Sequence, residues 1–187
     1  MTEKKLDVVI YGATGYTGKL VVEYMVKNYL DDNEVNWAIA GRSEEKLKSV
    51  KDVFGLTDSV NEIVVDSNDY KSVQNMVSQS KCILTTVGPY QLYGLNILKA
   101  CAETGVDYVD LCGEPAWMHQ MIQEYNEIAK SSGARIVFSC GFDSIPFDLG
   151  VYLLQKKVVT HQGNPAKNVR GRCLLYTSDA ADDSRSG

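Results

Sequence analysis

Six short apolar runs, each followed by a stretch of helical periodicity, constrain this chain more than any other feature. The runs are Leu6–Tyr11, Trp37–Ala40, Glu62–Asp66, Cys82–Val87, Asp107–Leu111 and Arg135–Ser139. They have strand length and strand composition, and Gly12, Gly41, Gly88, Gly113 and Gly141 follow closely after five of them. After the first run, Val22, Met25, Val26 and Tyr29 recur at i, i+3, i+4 and i+7, one apolar face of a helix. Val73, Met76 and Val77 repeat the pattern, as do Leu95, Leu98 and Ala102, and then Met118, Met121, Ile122 and Tyr125. Ser43 suits a helix cap ahead of Glu45–Leu47, and Pro146 opens a last helix expected to reach about Lys156. Strands that alternate with helices must cross over to pair in parallel. The fold class predicted is therefore α/β, a doubly wound, mostly parallel sheet of Rossmann type. We place this domain at residues 1–158 and the start of a connection to a missing substrate domain at 159–172.

Length and charge agree with that reading. The 187 residues suffice for one domain with a substantial core. Nineteen bases against 24 acids give a net charge of −5, which argues against a nucleic-acid partner held by bulk charge. Five cysteines (Cys82, Cys101, Cys112, Cys140 and Cys173) form no C-x-x-C pair, so neither a metal site nor a disulfide framework is expected, and a reducing, intracellular compartment is. Cys82 and Cys140 are expected to be small buried hydrophobes. No apolar run approaches the ~20 residues of a membrane span, and Asp7 and Gly12 interrupt the run nearest the first residue, so no signal-peptide core is expected. Cys173–Asp182 has the look of a translated sequencing adapter. We set residues 173–187 aside as a tail of non-native origin, which would make the chain the front part of a longer protein.

The chemistry is concentrated where strands end. Gly12, Gly15 and Gly18 stand directly after the first strand and open the first helix. A chain that turns sharply, lets its backbone approach a diphosphate and packs a helix on a sheet needs glycine at such positions. The helix N-terminus then offers N–H groups and the positive end of its dipole to phosphate, with Thr14 and Thr17 adding hydroxyls and Tyr16 lying between them. The spacing G-x-x-G-x-x-G departs from the commonest fingerprint, and no Gly-Lys-Ser/Thr closes it as a P-loop would. The plainer alternative is a tight turn that binds nothing.

A carboxylate at the end of the second strand would select NAD by accepting from the ribose hydroxyls. This strand ends instead in Gly41, Arg42 and Ser43. A guanidinium grips a 2′-phosphate bidentately and Ser43 adds a donor, so NADP is the expected cofactor, with NAD left possible. Arg42 could also be a solvated helix-start charge. Asp66 is placed to reach the adenine amino group or, equally, to cap the next helix. Gly88 and Pro89, followed by Tyr90, are expected to pass under the nicotinamide ribose.

Several motifs stand in order: Gly12–Gly18, Ala40–Ser43, Val87–Tyr90 with Tyr93 and Gly94, Gly105–Asp110, Gly113–Glu114, and Gly141–Pro146 with Asp148. Over about Lys4 to Leu154 the chain resembles the saccharopine dehydrogenase-like oxidoreductase family of animals, and is similar to the bacterial trans-acting enoyl reductases. The resemblance implies an NADP-type Rossmann domain ahead of a substrate domain, hydride transfer linked to lipid or glycolipid metabolism, and a small-molecule or lipid-derived substrate. It also suggests peripheral association with a membrane, on the cytoplasmic face of a lipid droplet or organelle, with the mitochondrion as alternative and a homo-oligomer open. It does not make saccharopine the substrate.

Two other functions compete. Ser139, Tyr152 and Lys156 have the order of a short-chain dehydrogenase triad, in which the tyrosine is the general acid–base. Pro146 starts a new helix just before Tyr152, and core packing is the preferred reading of that tyrosine. The other alternative is a non-catalytic, lipid-droplet-associated nucleotide-binding protein. His119 is expected on a solvated helix face. Gly113–Glu114 and Asp143–Ser144 could contact substrate or nicotinamide, or cap the helices that follow them, and no catalytic residue is assigned.

Overall fold

The computed structural model describes residues 6–30, 35–56 and 60–171. The tail at 173–187 lies outside them. The chain divides into two compact units, Met1–Phe142 and Asp143–Gly187.

In the first unit, strand and helix alternate along the chain: β1 (Leu6–Tyr11), α1 (Tyr16–Tyr29), β2 (Trp37–Gly41), α2 (Glu44–Phe54), β3 (Asn61–Val64), α3 (Tyr70–Ser78) and β4 (Ser80–Thr85). There follow α4 (Tyr90–Tyr93), α5 (Leu95–Thr104), β5 (Asp107–Asp110), α6 (Pro115–Ser132) and β6 (Ile136–Val137). The six strands form one sheet in the order β3-β2-β1-β4-β5-β6, and every pairing is parallel. The mostly parallel sheet read from the sequence is thus wholly parallel among the described strands.

Side chains alternate across the sheet, as the strand period requires. Val9 and Tyr11 of β1, with Ala38 and Ala40 of β2, join a core shared with Val73, Met76, Leu98, Trp117 and Met121. Ile10 and Ile39 face the other way, onto Val22, Met25, Leu47 and Val50. Helices α3, α5 and α6 therefore cover one face, and α1 and α2 the other. All five residues of β2 are buried, as a strand covered on both faces demands.

The structure corrects the sequence in several places. The third strand stops at Val64 and the sixth has two residues, Ile136 and Val137. Four-residue α4 was not expected. Leu95 and Ile122 are exposed, while Ile97, Cys101 and Trp117 are buried. Cys140 is exposed and Cys82 half-buried, so neither is the buried hydrophobe expected; Cys140 lies in the loop beyond two-residue β6.

The second unit contains α7 (Ile145–Gln162), which outlasts its expected end at Lys156 by six residues and is followed by Gly163 in the left-handed conformation. It lies wholly within the unit that begins at Asp143. None of its residues is buried. Tyr152 is 61% exposed, which overturns its expected place in a core.

Candidate nucleotide-binding site

Strand order reverses between β1 and β4, because the chain winds outward through β2 and β3 and then returns to the other side of β1. In such sheets ligands bind beyond the carboxyl ends of the strands at that reversal. The β1–α1 loop lies there, fastened on both flanks. Gly12 N and Ala13 N donate to the Ala40 carbonyl at 3.0 and 3.3 Å, and Thr86 N donates to the Tyr11 carbonyl at 2.9 Å.

The three glycines have different reasons to be glycine. Gly12 has φ +93°, and a Cβ there would stand 2.6 Å from Thr86 Oγ1 and 2.8 Å from Val87 Cγ2. A Cβ at Gly18 would fall 2.0 Å from the Gly12 carbonyl oxygen, so the helix could not close on the loop. Gly15 is exposed, and its Cβ would meet only the Gly12 oxygen, at 3.4 Å, which is ordinary contact. The protein's own packing therefore does not require glycine at position 15; a group approaching from outside would.

The start of α1 supports such an approach. No side chain caps it, and its first turn carries no acid. By contrast α2 is capped by Ser43, whose Oγ accepts from Lys46 N at 3.3 Å, and α3 by Asp69, which accepts from Lys71 N and Ser72 N at 3.0 and 3.3 Å. The orphan N–H groups and positive dipole end of α1 thus face the strand-order reversal, beside half-buried Thr14 and Thr17 and exposed Tyr16.

The ends of β2 and β3 continue this edge of the sheet. Gly41 is buried, and a Cβ on it would make ordinary contact with Leu47 and Thr14, at 3.5 and 3.6 Å, so the loop lies against the end of β2. Arg42 follows, exposed. Asp66, also exposed, accepts from Asn68 N at 3.0 Å in a local turn; the helix cap it could have been is Asp69. Arg42 and Asp66 both act electrostatically on the hydroxyl of Tyr11, whose pKa is raised chiefly by burial. Arg42 directly follows β2, and Asp66 lies two residues past the end of its neighbour β3.

On the other side of β1, Gly88 and Pro89 are exposed and joined by a cis peptide. Tyr90 turns inward, donating to the Thr85 carbonyl at 3.1 Å and accepting from Leu111 N at 3.3 Å. Burial pushes its hydroxyl pKa up. Glu114 is the residue the sequence did not resolve. Its Oε1 accepts from Tyr90 N at 2.7 Å and its Oε2 from Gln91 N at 2.9 Å. It caps α4, 24 residues upstream, and not its own helix.

Asp110, buried at the end of β5, holds the next two loops. Its Oδ1 accepts from Cys112 N at 2.9 Å and Ser139 N at 2.8 Å, and Tyr108 donates its hydroxyl to Oδ2 at 2.8 Å. Burial raises its pKa despite those donors. Ser139 has φ +58°, and its hydroxyl donates to the Cys112 carbonyl at 2.7 Å. That proton is therefore engaged in joining the loops after β5 and β6, while Tyr152 and Lys156 belong to the second unit. His119 is exposed, as expected.

A family model described as the saccharopine dehydrogenase NADP-binding domain matches residues 8–137. The chain belongs to this family. It is 44% identical over 161 residues to the lipid droplet localized protein of Caenorhabditis elegans, covering 81% of this chain and 37% of that protein. It is 40% identical over 158 residues to the trans-acting enoyl reductase of Mycobacterium leprae, covering 84% of this chain and 37% of that one. The chain thus spans little more than a third of the length of these relatives. Among solved structures, the saccharopine dehydrogenase (L-Glu forming) of Saccharomyces cerevisiae has the same fold, with a TM-score of 0.65 at 16% identity over 84% of this chain and 32% of that one.

NADP is the cofactor of the saccharopine dehydrogenase NADP-binding domain, and the residues present fit it. The uncapped α1 and a Gly15 open to the outside suit a diphosphate. Arg42 supplies a cation where an NAD site has an acid. Gly88 leaves similar room, since a Cβ there would come no closer than 3.7 Å to the Tyr90 ring. No helix among the described residues is long and apolar enough to cross a membrane.

Proposed function

We propose that this chain is the cofactor-holding domain of an NADP-dependent oxidoreductase. Gly12, Thr14, Gly15, Tyr16, Thr17 and Gly18 cradle the diphosphate, and Gly41, Arg42 and Ser43 hold the 2′-phosphate. Asp66 lies at the adenine, and Gly88 and Pro89 run along the nicotinamide ribose. The observation that carries the reading is the pairing of an uncapped α1 N-terminus at the strand-order reversal with exposed Arg42 at the end of β2. When bound, the cofactor supplies or accepts a hydride. The chain's task is binding, orientation and electrostatics.

The substrate we propose is unsaturated or imine-like and derived from lipid, acted on at the surface of a lipid droplet or membrane. Support comes from two relatives, one named an enoyl reductase and the other a lipid droplet localized protein. On this reading the substrate is bound by sequence outside this chain, since both relatives are far longer.

Arg42→Asp tests the cofactor assignment. A charge-assisted contact to the 2′-phosphate is worth about 1.5–3 kcal/mol. Titration calorimetry should show NADP+ weakened by that amount and NAD+ barely changed. Equal losses for both dinucleotides would remove Arg42 from the site. Turnover of NADPH across a panel of lipid-derived enoyl and imine compounds, measured on a full-length protein carrying this domain, separates an enzyme from a non-catalytic droplet protein.

A further inference from the structure

Glu114 spends its carboxylate on another element. Both oxygens accept backbone N–H groups of the first turn of α4, from Tyr90 and Gln91. These are the two amides that follow Gly88 and Pro89, the exposed pair on the nicotinamide side of the site. Glu114 itself is half-buried at the end of the loop after β5. Its own N–H donates to Cys112 Sγ at 3.4 Å, and Cys112 N donates to buried Asp110 at 2.9 Å. The carboxylate that grips Tyr90 and Gln91 is therefore held from behind by the β5 loop. The same loop donates Leu111 N to the Tyr90 hydroxyl, so Tyr90 is fixed at both its backbone and its side-chain tip.

We propose that Glu114 is a positioning residue for the nicotinamide half of the cofactor. By pinning the first turn of α4 it holds Gly88 and Pro89 in place before the dinucleotide arrives, and it touches neither cofactor nor substrate. A loop already ordered loses less conformational freedom on binding. The inference rests on the placement of the cofactor given above.

Two ligands separate this role from a structural one. NADP+ spans the whole site, whereas adenosine 2′,5′-bisphosphate reaches only the side of Arg42 and the glycine loop. Calorimetry on the 187-residue chain with Glu114→Ala should show NADP+ weakened about tenfold, the loss expected when charge-assisted hydrogen bonds no longer order the loop. Adenosine 2′,5′-bisphosphate should bind within about twofold of the parent, since loss at one loop leaves a distant contact unaltered. Glu114→Gln keeps one carbonyl acceptor and the volume of the side chain, so it should fall between, with the same selectivity for the longer ligand. If both ligands weaken together in Glu114→Gln, the residue merely maintains the fold and the proposal is overturned. Unchanged NADP+ affinity in both variants overturns it as well. A parent chain that binds adenosine 2′,5′-bisphosphate but gains nothing from the nicotinamide half also overturns it. A parent that binds neither ligand removes the cofactor reading itself.

Discussion

Gly15 and Gly18 lie three residues apart, at the cap and in the first turn of α1, yet they answer to different forces. At Gly18 a methyl would stand 2.0 Å from the Gly12 carbonyl oxygen, and both groups are backbone or bonded directly to it, so neither can yield cheaply. Gly18→Ala should cost about 1–3 kcal/mol of stability, the range for forcing atoms into a packed site. At Gly15 the backbone, with φ −77° and ψ 170°, suits alanine, and a methyl meets no more than ordinary contact. Gly15→Ala should leave stability within about 0.5 kcal/mol, a small loss of chain entropy in the unfolded state offsetting a slightly poorer cap. It should nonetheless weaken NADP+ about tenfold, because the methyl occupies the approach of the diphosphate to the amides. Urea unfolding and calorimetry on the same two variants check both halves. A Gly15→Ala protein that binds NADP+ like the parent would show that the ligand does not come near this loop.

At the scale of elements, buried acceptors join the strand ends. Asp110 bridges the loops after β5 and β6, and desolvation is the main cause of its raised pKa. From its ordinary value of 3.8 upward, the unfolded chain gives up this proton before the folded chain does. The folded state then holds more protons, and the contribution of Asp110 to stability falls as pH climbs towards its folded pKa. Below 3.8 both states are protonated and the effect vanishes. Asp110→Asn should flatten that part of the pH profile. Denaturant midpoints of parent and variant, taken across the window, should converge at its acidic end; parallel profiles would mean the carboxyl does not titrate as its burial requires.

At the scale of the whole molecule, the proposed ligand binds the folded chain alone and must therefore stabilise it. At a hundred times its dissociation constant the gain is about 2.7 kcal/mol. Thermal unfolding should shift upward by several degrees with NADP+ and by less with the same concentration of NAD+. No shift at any NADP+ concentration would leave a nucleotide fold without its nucleotide. The topology and the glycine loop were legible in the amino-acid order because their causes are local. Short apolar runs separated by period-3.6 stretches lead to parallel pairing, and Gly12, Gly15 and Gly18 act within seven consecutive residues. Ser43 as a cap was legible for the same reason. The role of Glu114 was not, since its partners are 24 and 23 residues away and many carboxylates in the chain are equally free to meet a loop. Nor was the engagement of Ser139 with the β5 loop, 27 residues upstream. Such bonds exist only once the sheet has set β4, β5 and β6 side by side and brought their ends to one edge. Local periodicity dictates which elements form; which polar groups then meet is decided by the packing of strands distant in sequence, because a hydrogen bond reaches only about 3 Å.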